Sequence, residues 1–163
     1  SDQISLRGGV YNAWDLRLTD ALPLSLRVEC GAGEQDIDLV GLNITDLDVK
    51  LGAGDARISV SDTPALSHLD LDIGAGSVSL DLRGPWAGDA EIDIQGGVGE
   101  TQLQLPQDVG VRVEVERGIG DVDVSGLFRE GTAWVNEAFG TAPVTLDITI
   151  RAGIGRVVLE VQR

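Results

Sequence analysis

Methionine is absent from the chain, cysteine and histidine occur once each, and only six residues are aromatic. Each shortage excludes something. A lone Cys30 cannot form an internal disulfide, so cysteine usage does not reveal the redox compartment. His68 is all that a nucleophile–histidine–acid system could draw on; it lies in SDTPALSHL with no identifiable partner and reads as a surface residue. No zinc-ligand spacing or phosphate-binding loop is present. Basic residues are scarce too, 12 against 27 acidic ones, for a net charge of −15. Such a surface repels nucleic acid and anionic lipid and favours cations or basic partners. No apolar run reaches the about 18 residues a membrane-spanning helix needs, so this segment predicts no membrane insertion. A signal peptide is not visible. Without methionine, the chain reads as a processed or trimmed piece of a longer product, with any anchor or export signal upstream.

What is present is glycine, 22 residues of it, and aliphatic side chains. At 163 residues one domain is expected, long enough to bury a sizeable core. With so few aromatics, that core must be aliphatic. G-x-G occurs at Gly31–Gly33, Gly52–Gly54, Gly74–Gly76, Gly97–Gly99, Gly118–Gly120 and Gly153–Gly155, in steps of 21, 22, 23, 21 and 35 residues. Near-constant steps of this size mark a solenoid or similar array.

Around each pair the chain alternates apolar and polar residues, as half-buried strands do. Leu47, Val49, Leu51 and Ala53 share one parity, and Ala56, Ile58 and Val60 the other. All six copies flip in this way. A flat strand cannot change parity without sending half its apolar set into water. A bend can, and glycine accepts the positive φ that corners need. This predicts an all-β, single-stranded β-helix (β-solenoid) of about six coils, with G-x-G at one corner. At about 4.8 Å per coil the stack would be roughly 25–30 Å tall. An antiparallel sandwich with G-x-G hairpins is the lower-ranked alternative, since hairpins would not need near-identical steps.

Residues 1–163 are therefore one domain: a cap at 1–21, five coils at 22–126, an insertion at 127–143 and a final coil at 144–163. The insertion gathers Phe128, Trp134 and Phe139. It is expected to pack over the end of the core, or else to form a partner-docking patch for a protein or glycan. Trp86, in RGPWAGD, is expected in a turn against a coil edge, and Cys30 on the inward parity as a core residue.

Aligning the copies on their first glycine gives two outward columns. Four positions before it stand Arg27, Asp48, Asp70, Asp93, Glu114 and Thr149; three after it stand Glu34, Asp55, Ser77, Glu100, Asp121 and Arg156. Stacked like charges destabilise a sheet unless they splay into solvent or are bridged by a cation. Asp48, Asp70, Asp93 and Glu114 are thus weak calcium candidates. The calcium-solenoid pattern itself fails at GGVGETQLQ, where Thr101 stands in place of Asp. Asp48, Asp70 and Asp93 are also the cluster a carbohydrate-active β-helix enzyme would use, a reading that rests on fold analogy.

The stretches NAWDLRLTDALPLSLRVECGAGEQDIDLVGLNITDLDVKLGAGD and WVNEAFGTAPVTLDITIRAGIGRVVLEV resemble the bacterial toast-rack family. That family is similar to the C-terminal domains of LiaF-like cell-wall-stress proteins and to β-helix proteins proposed as adhesins. The resemblance covers nearly the whole chain. It implies a β-solenoid in an envelope-associated protein, exported or membrane-anchored, with the anchor outside this chain. It brings no catalytic residue and no cofactor. The function expected is a non-enzymatic envelope scaffold or binding module, with a carbohydrate-active enzyme or a calcium-stabilised adhesin as alternatives.

Overall fold

The computed structural model describes residues 21–63 and 65–162; the expected cap at 1–21 lies, but for Ala21, outside them. Among the described residues nine strands form one sheet: β1 (Leu24–Ala32), β2 (Gln35–Asp38), β3 (Ile44–Ser59), β4 (His68–Asp81), β5 (Ala90–Leu105), β6 (Gly110–Ser125), β7 (Phe128–Glu130), β8 (Ala133–Val135) and β9 (Thr145–Val161). β1 with β2 makes the first coil. β3, β4, β5, β6 and β9 each run unbroken through a G-x-G. Neighbouring coils pair in parallel, G-x-G beside G-x-G. The glycine segments are therefore corners of stacked coils and not hairpin tips, as the parity flips predict.

Apolar columns fill the stack, two of which show how the coils align. Val28, Val49, Leu71, Ile94, Ile150 and Val115 stack before the corner. Ile37, Ile58, Leu80, Leu103, Leu159 and Val124 stack after it. Ile94, Ile150, Leu80, Leu103 and Leu159 have no exposed surface at all. Each contributes about 1.5–3 kcal/mol of transfer free energy. Cys30 packs against this core while staying partly accessible.

The corner itself differs from the alternation-based reading. Parity places Ala53, Ala75, Val98, Ile119 and Ile154 inward. They face solvent instead, Val98 at 55%, Ile154 at 53% and Ile119 at 72% exposure. Inward packing stops at Leu51 and resumes at Ala56, so four residues turn the corner. All six second glycines have positive φ, from 125° to 147°. Positive φ at these glycines lets the chain turn there, a conformation other residues rarely adopt.

The order of coils is the second difference. The sheet runs β1-β3-β4-β5-β9-β6-β8-β7. The sixth copy is thus inserted between the fourth and fifth. After β6, the chain forms the β7–β8 hairpin, and β8 pairs antiparallel with β6 through Arg112–Val135, Val113–Trp134 and Glu114–Ala133. This covers part of an otherwise open edge. Residues 136–144 then bring the chain back between β5 and β6. Buried Asn136 fixes the crossing: its Oδ1 accepts from Val111 N–H (2.9 Å), and its Nδ2 donates to Val109 O (2.7 Å) and Pro106 O (3.2 Å).

Candidate functional site

Register brings Asp48, Asp70 and Asp93 onto adjacent coils, as the alignment predicts. Glu114 does not join them. Because β9 intervenes, Thr149 separates Asp93 from Glu114, and Arg112 pairs with Glu114 and with Asp147 (3.0 Å). The second column is broken likewise: Arg156 stands between Glu100 and Asp121 and reaches Asp123 at 2.7 Å. Arg151, also on β9, lies 3.4 Å from Asp93 and 3.6 Å from Glu116. At the other end of the first column, Arg27 meets Asp48 at 2.8 Å. The inserted coil thus places neutral Thr149 in the first column and a cation, Arg156, in the second, where sequential stacking would have set carboxylate against carboxylate. Like charges on adjacent strands repel, so this order relieves both columns. Only Asp70 of the three lacks an ion pair among the described residues, and it is exposed on an open sheet face. No group of three or more His, Cys, Asp or Glu side chains among the described residues is arranged to hold a metal ion.

His68 has neighbours the sequence did not reveal. It opens β4, and register sets it between Asp46 and Glu91. Its ring nitrogens are 3.8 Å and 3.7 Å from their carboxylates. Hydrogen bonds from Thr45 and Ser25, with a smaller contribution from His68, hold the Asp46 carboxyl below its ordinary range. All three side chains are solvent-exposed, and pairs of this kind contribute little to stability. Arg83 grips Asp81 through two parallel hydrogen bonds (2.9 and 2.7 Å) and bonds Gln162 Oε1 at 2.8 Å. Those bonds hold the Asp81 carboxyl below its ordinary range, against a partial desolvation that would raise it.

The aromatic insertion separates into parts. Trp134, on β8, is half-buried against the core, with the Arg129 guanidinium 5.5 Å from its ring centroid. Phe139 is half-buried, whereas Phe128 is 57% exposed. The hairpin therefore caps part of the β6 edge and still presents one aromatic side chain outward. Trp86 lies in the turn after β4, and its indole N–H donates to Leu82 O (3.0 Å).

Two family models match the chain. The N-terminal domain of toast_rack, DUF2154, matches residues 1–67. The C-terminal region of LiaF, a cell wall-active antibiotics response model, matches residues 53–159, well over half of the chain. The crystal structure of a proposed cell adhesion protein from Clostridium sporogenes ATCC 15579 is similar in fold, with a TM-score of 0.74 over 85% of this chain and 92% of that one. At 20% identity, the likeness is one of fold alone. Comparison with curated proteins gives no match.

Proposed function

Because the chain belongs to the toast-rack family, with a LiaF-type C-terminal region over residues 53–159, we propose that it is a non-enzymatic scaffold or binding module of the bacterial cell envelope. Its role would lie in the envelope's response to stress, and the protein would be exported or membrane-anchored. The observation that carries this reading is the extent of the LiaF match, from the corner of the second coil to near the end of the last strand. The architecture supports it. A stack of in-register coils gives a stiff, regular, acidic surface, suited to presenting or receiving a partner. Phe128, exposed on the capping hairpin, offers an apolar anchor for a protein partner, with the acidic faces steering its approach.

Incubation with cell-wall and plant polysaccharides, followed by measurement of soluble products, tests the non-enzymatic reading. No release is expected. Cleavage abolished by Asp70→Asn would overturn it in favour of a carbohydrate-active enzyme built on Asp48, Asp70 and Asp93. In the same preparation the melting temperature should not respond to calcium; a rise with Ca²⁺, reversed by a chelator, would support the calcium-stabilised adhesin instead.

A further inference from the structure

On the side where the coils return, opposite the glycine corner in sequence, loops from five parts of the chain enclose a groove of about 760 Å³. That volume falls within the range of small-molecule sites. Pro85, Pro106 and Pro143 line it, three of the chain's five prolines. Their fixed φ stiffens the walls. Asp62 is the one non-glycine residue with positive φ among the described residues, at 57°. Gly84 packs so closely on it that a Cβ there would stand 2.7 Å from Asp62 N, while Asp62 O accepts from Gly41 N–H at 3.1 Å. The Trp86 indole is anchored by its bond to Leu82 O, and Trp86 is partly buried and lines the groove. Arg83, held by Asp81 and Gln162, lines the groove as a neutralised pair.

Three polar side chains in this rigid frame remain uncommitted. Asp62, Gln107 and Asp108 are exposed and make no side-chain hydrogen bond to a described residue. Two are acceptors only and the third both donates and accepts. One aromatic side chain and three unfilled hydrogen-bonding groups lining the same groove argue against two ligand classes. An anion would meet two unpaired carboxylates in a chain of net charge −15. A wholly apolar ligand would strand those carboxylates without water or partner. A pyranose ring satisfies both requirements: its C–H face, weakly positive, packs on the negative face of the indole, and its hydroxyls donate to carboxylates at the rim.

We propose that this groove binds an uncharged saccharide, one ring packed on Trp86 and its hydroxyls bonded to Asp62, Asp108 and Gln107. The proposal deepens the binding-module reading by naming a ligand class, and it rests on that reading. Because the walls are already fixed, little ordering accompanies binding.

The test is calorimetric titration of the protein with chito-, cello-, malto-, xylo- and manno-oligosaccharides, alongside NMR of the tryptophan indole N–H signals. At least one series should bind saturably, shifting the Trp86 indole signal and leaving that of Trp134 in place. Trp86→Ala should weaken binding by about tenfold or more, as for an aromatic anchor. Asp62→Asn, which tolerates the left-handed backbone, and Asp108→Asn should each weaken it by roughly fivefold, with the melting temperature unchanged. They keep the proposal testable should Trp86→Ala fail to fold. Binding by none of the series, binding undiminished in the two Asp variants, or binding only by cationic amines would overturn it. Turnover of a bound saccharide would instead overturn the non-enzymatic reading and leave the groove's ligand class standing.

Discussion

Gly99→Ala should lower stability by more than about 5 kcal/mol, enough to unfold a domain of ordinary stability. The reason is the distance between coils. A Cβ at Gly99 would lie 1.7 Å from Gly76 O and 2.6 Å from Gly76 C. That carbonyl belongs to the backbone of the adjacent coil and cannot turn aside without breaking register. The φ of 143° adds about 1–3 kcal/mol of backbone strain for alanine. Two controls separate these contributions. At Gly33 the φ is 132° but the nearest atom is a Gln35 side-chain nitrogen at 3.8 Å, so Gly33→Ala should show the strain alone. At Gly31 φ is not positive and nothing lies within 4 Å, so Gly31→Ala should stay within about 0.5 kcal/mol of the parent. Urea unfolding of the three variants reads all of these values. Equal, small effects would mean that the coils do not approach each other at the corner as described.

Asn136→Ala should destabilise by about 3–4 kcal/mol through a different mechanism. Asn136 is 4% exposed, and its amide satisfies the Val111 N–H and the Val109 and Pro106 carbonyls. Alanine would leave those groups with fewer partners, in a site where water has little access. Asn136→Asp is the sharper variant. The introduced carboxylate could still accept from Val111 N–H, but would face two carbonyl oxygens with no proton to offer. Its protonated form could donate to one of them, so its folded pKa should rise above the unfolded value. The sign follows: Asn136→Asp should be least stable above that raised pKa and recover as the pH falls through it. Stability profiles of the parent and both variants between neutral and acid pH decide this. A deficit in Asn136→Asp that grows on acidification would refute the assigned hydrogen-bond roles.

Both predictions concern features that differ in how far the sequence exposed them. Glycine corners were legible, because parity around Gly52–Gly54 and Gly74–Gly76 cannot be reconciled with a flat strand. Direction at the corner was not. Alternation assigns Val98 and Ile154 inward, and nothing in the local pattern marks that they stand on the outside of a corner, exposed to solvent. Coil order was hidden for a similar reason. TLDITIRAGIGRVVLEV would fit between any two coils, and local pattern says nothing about which neighbours it takes. The 35-residue step was the one hint, since a long connection can bypass an adjacent coil. Columns read in chain order therefore matched at Asp48, Asp70 and Asp93 and failed at Glu114. His68 looked partnerless because Asp46 and Glu91 are set beside it by register alone. The groove left no trace in any local motif: Asp62, Trp86, Asp108 and Gln162 come from separate segments of the chain, Arg83 from the same turn as Trp86, and only the closed stack brings them together. Asn136, within the W-V-N-E-A-F-G segment, reads as an ordinary turn residue until its three partners are known.

The inserted coil rearranges both acidic columns and positions the crossing that lends Pro143 and Val144 to the groove, so the order β5-β9-β6 carries much of the rest. Methyl-to-methyl NOEs at the outward corner test it most directly. Val98, Ile154 and Ile119 are consecutive across β5, β9 and β6, one strand spacing apart. Val98 and Ile119 are two spacings apart, about 9–10 Å. Selective labelling of Ile and Val methyls should give cross-peaks from Ile154 to both Val98 and Ile119, and none between Val98 and Ile119. A Val98–Ile119 cross-peak, with Ile154 touching only Ile119, would mean that the coils stack in chain order and would contradict the arrangement described.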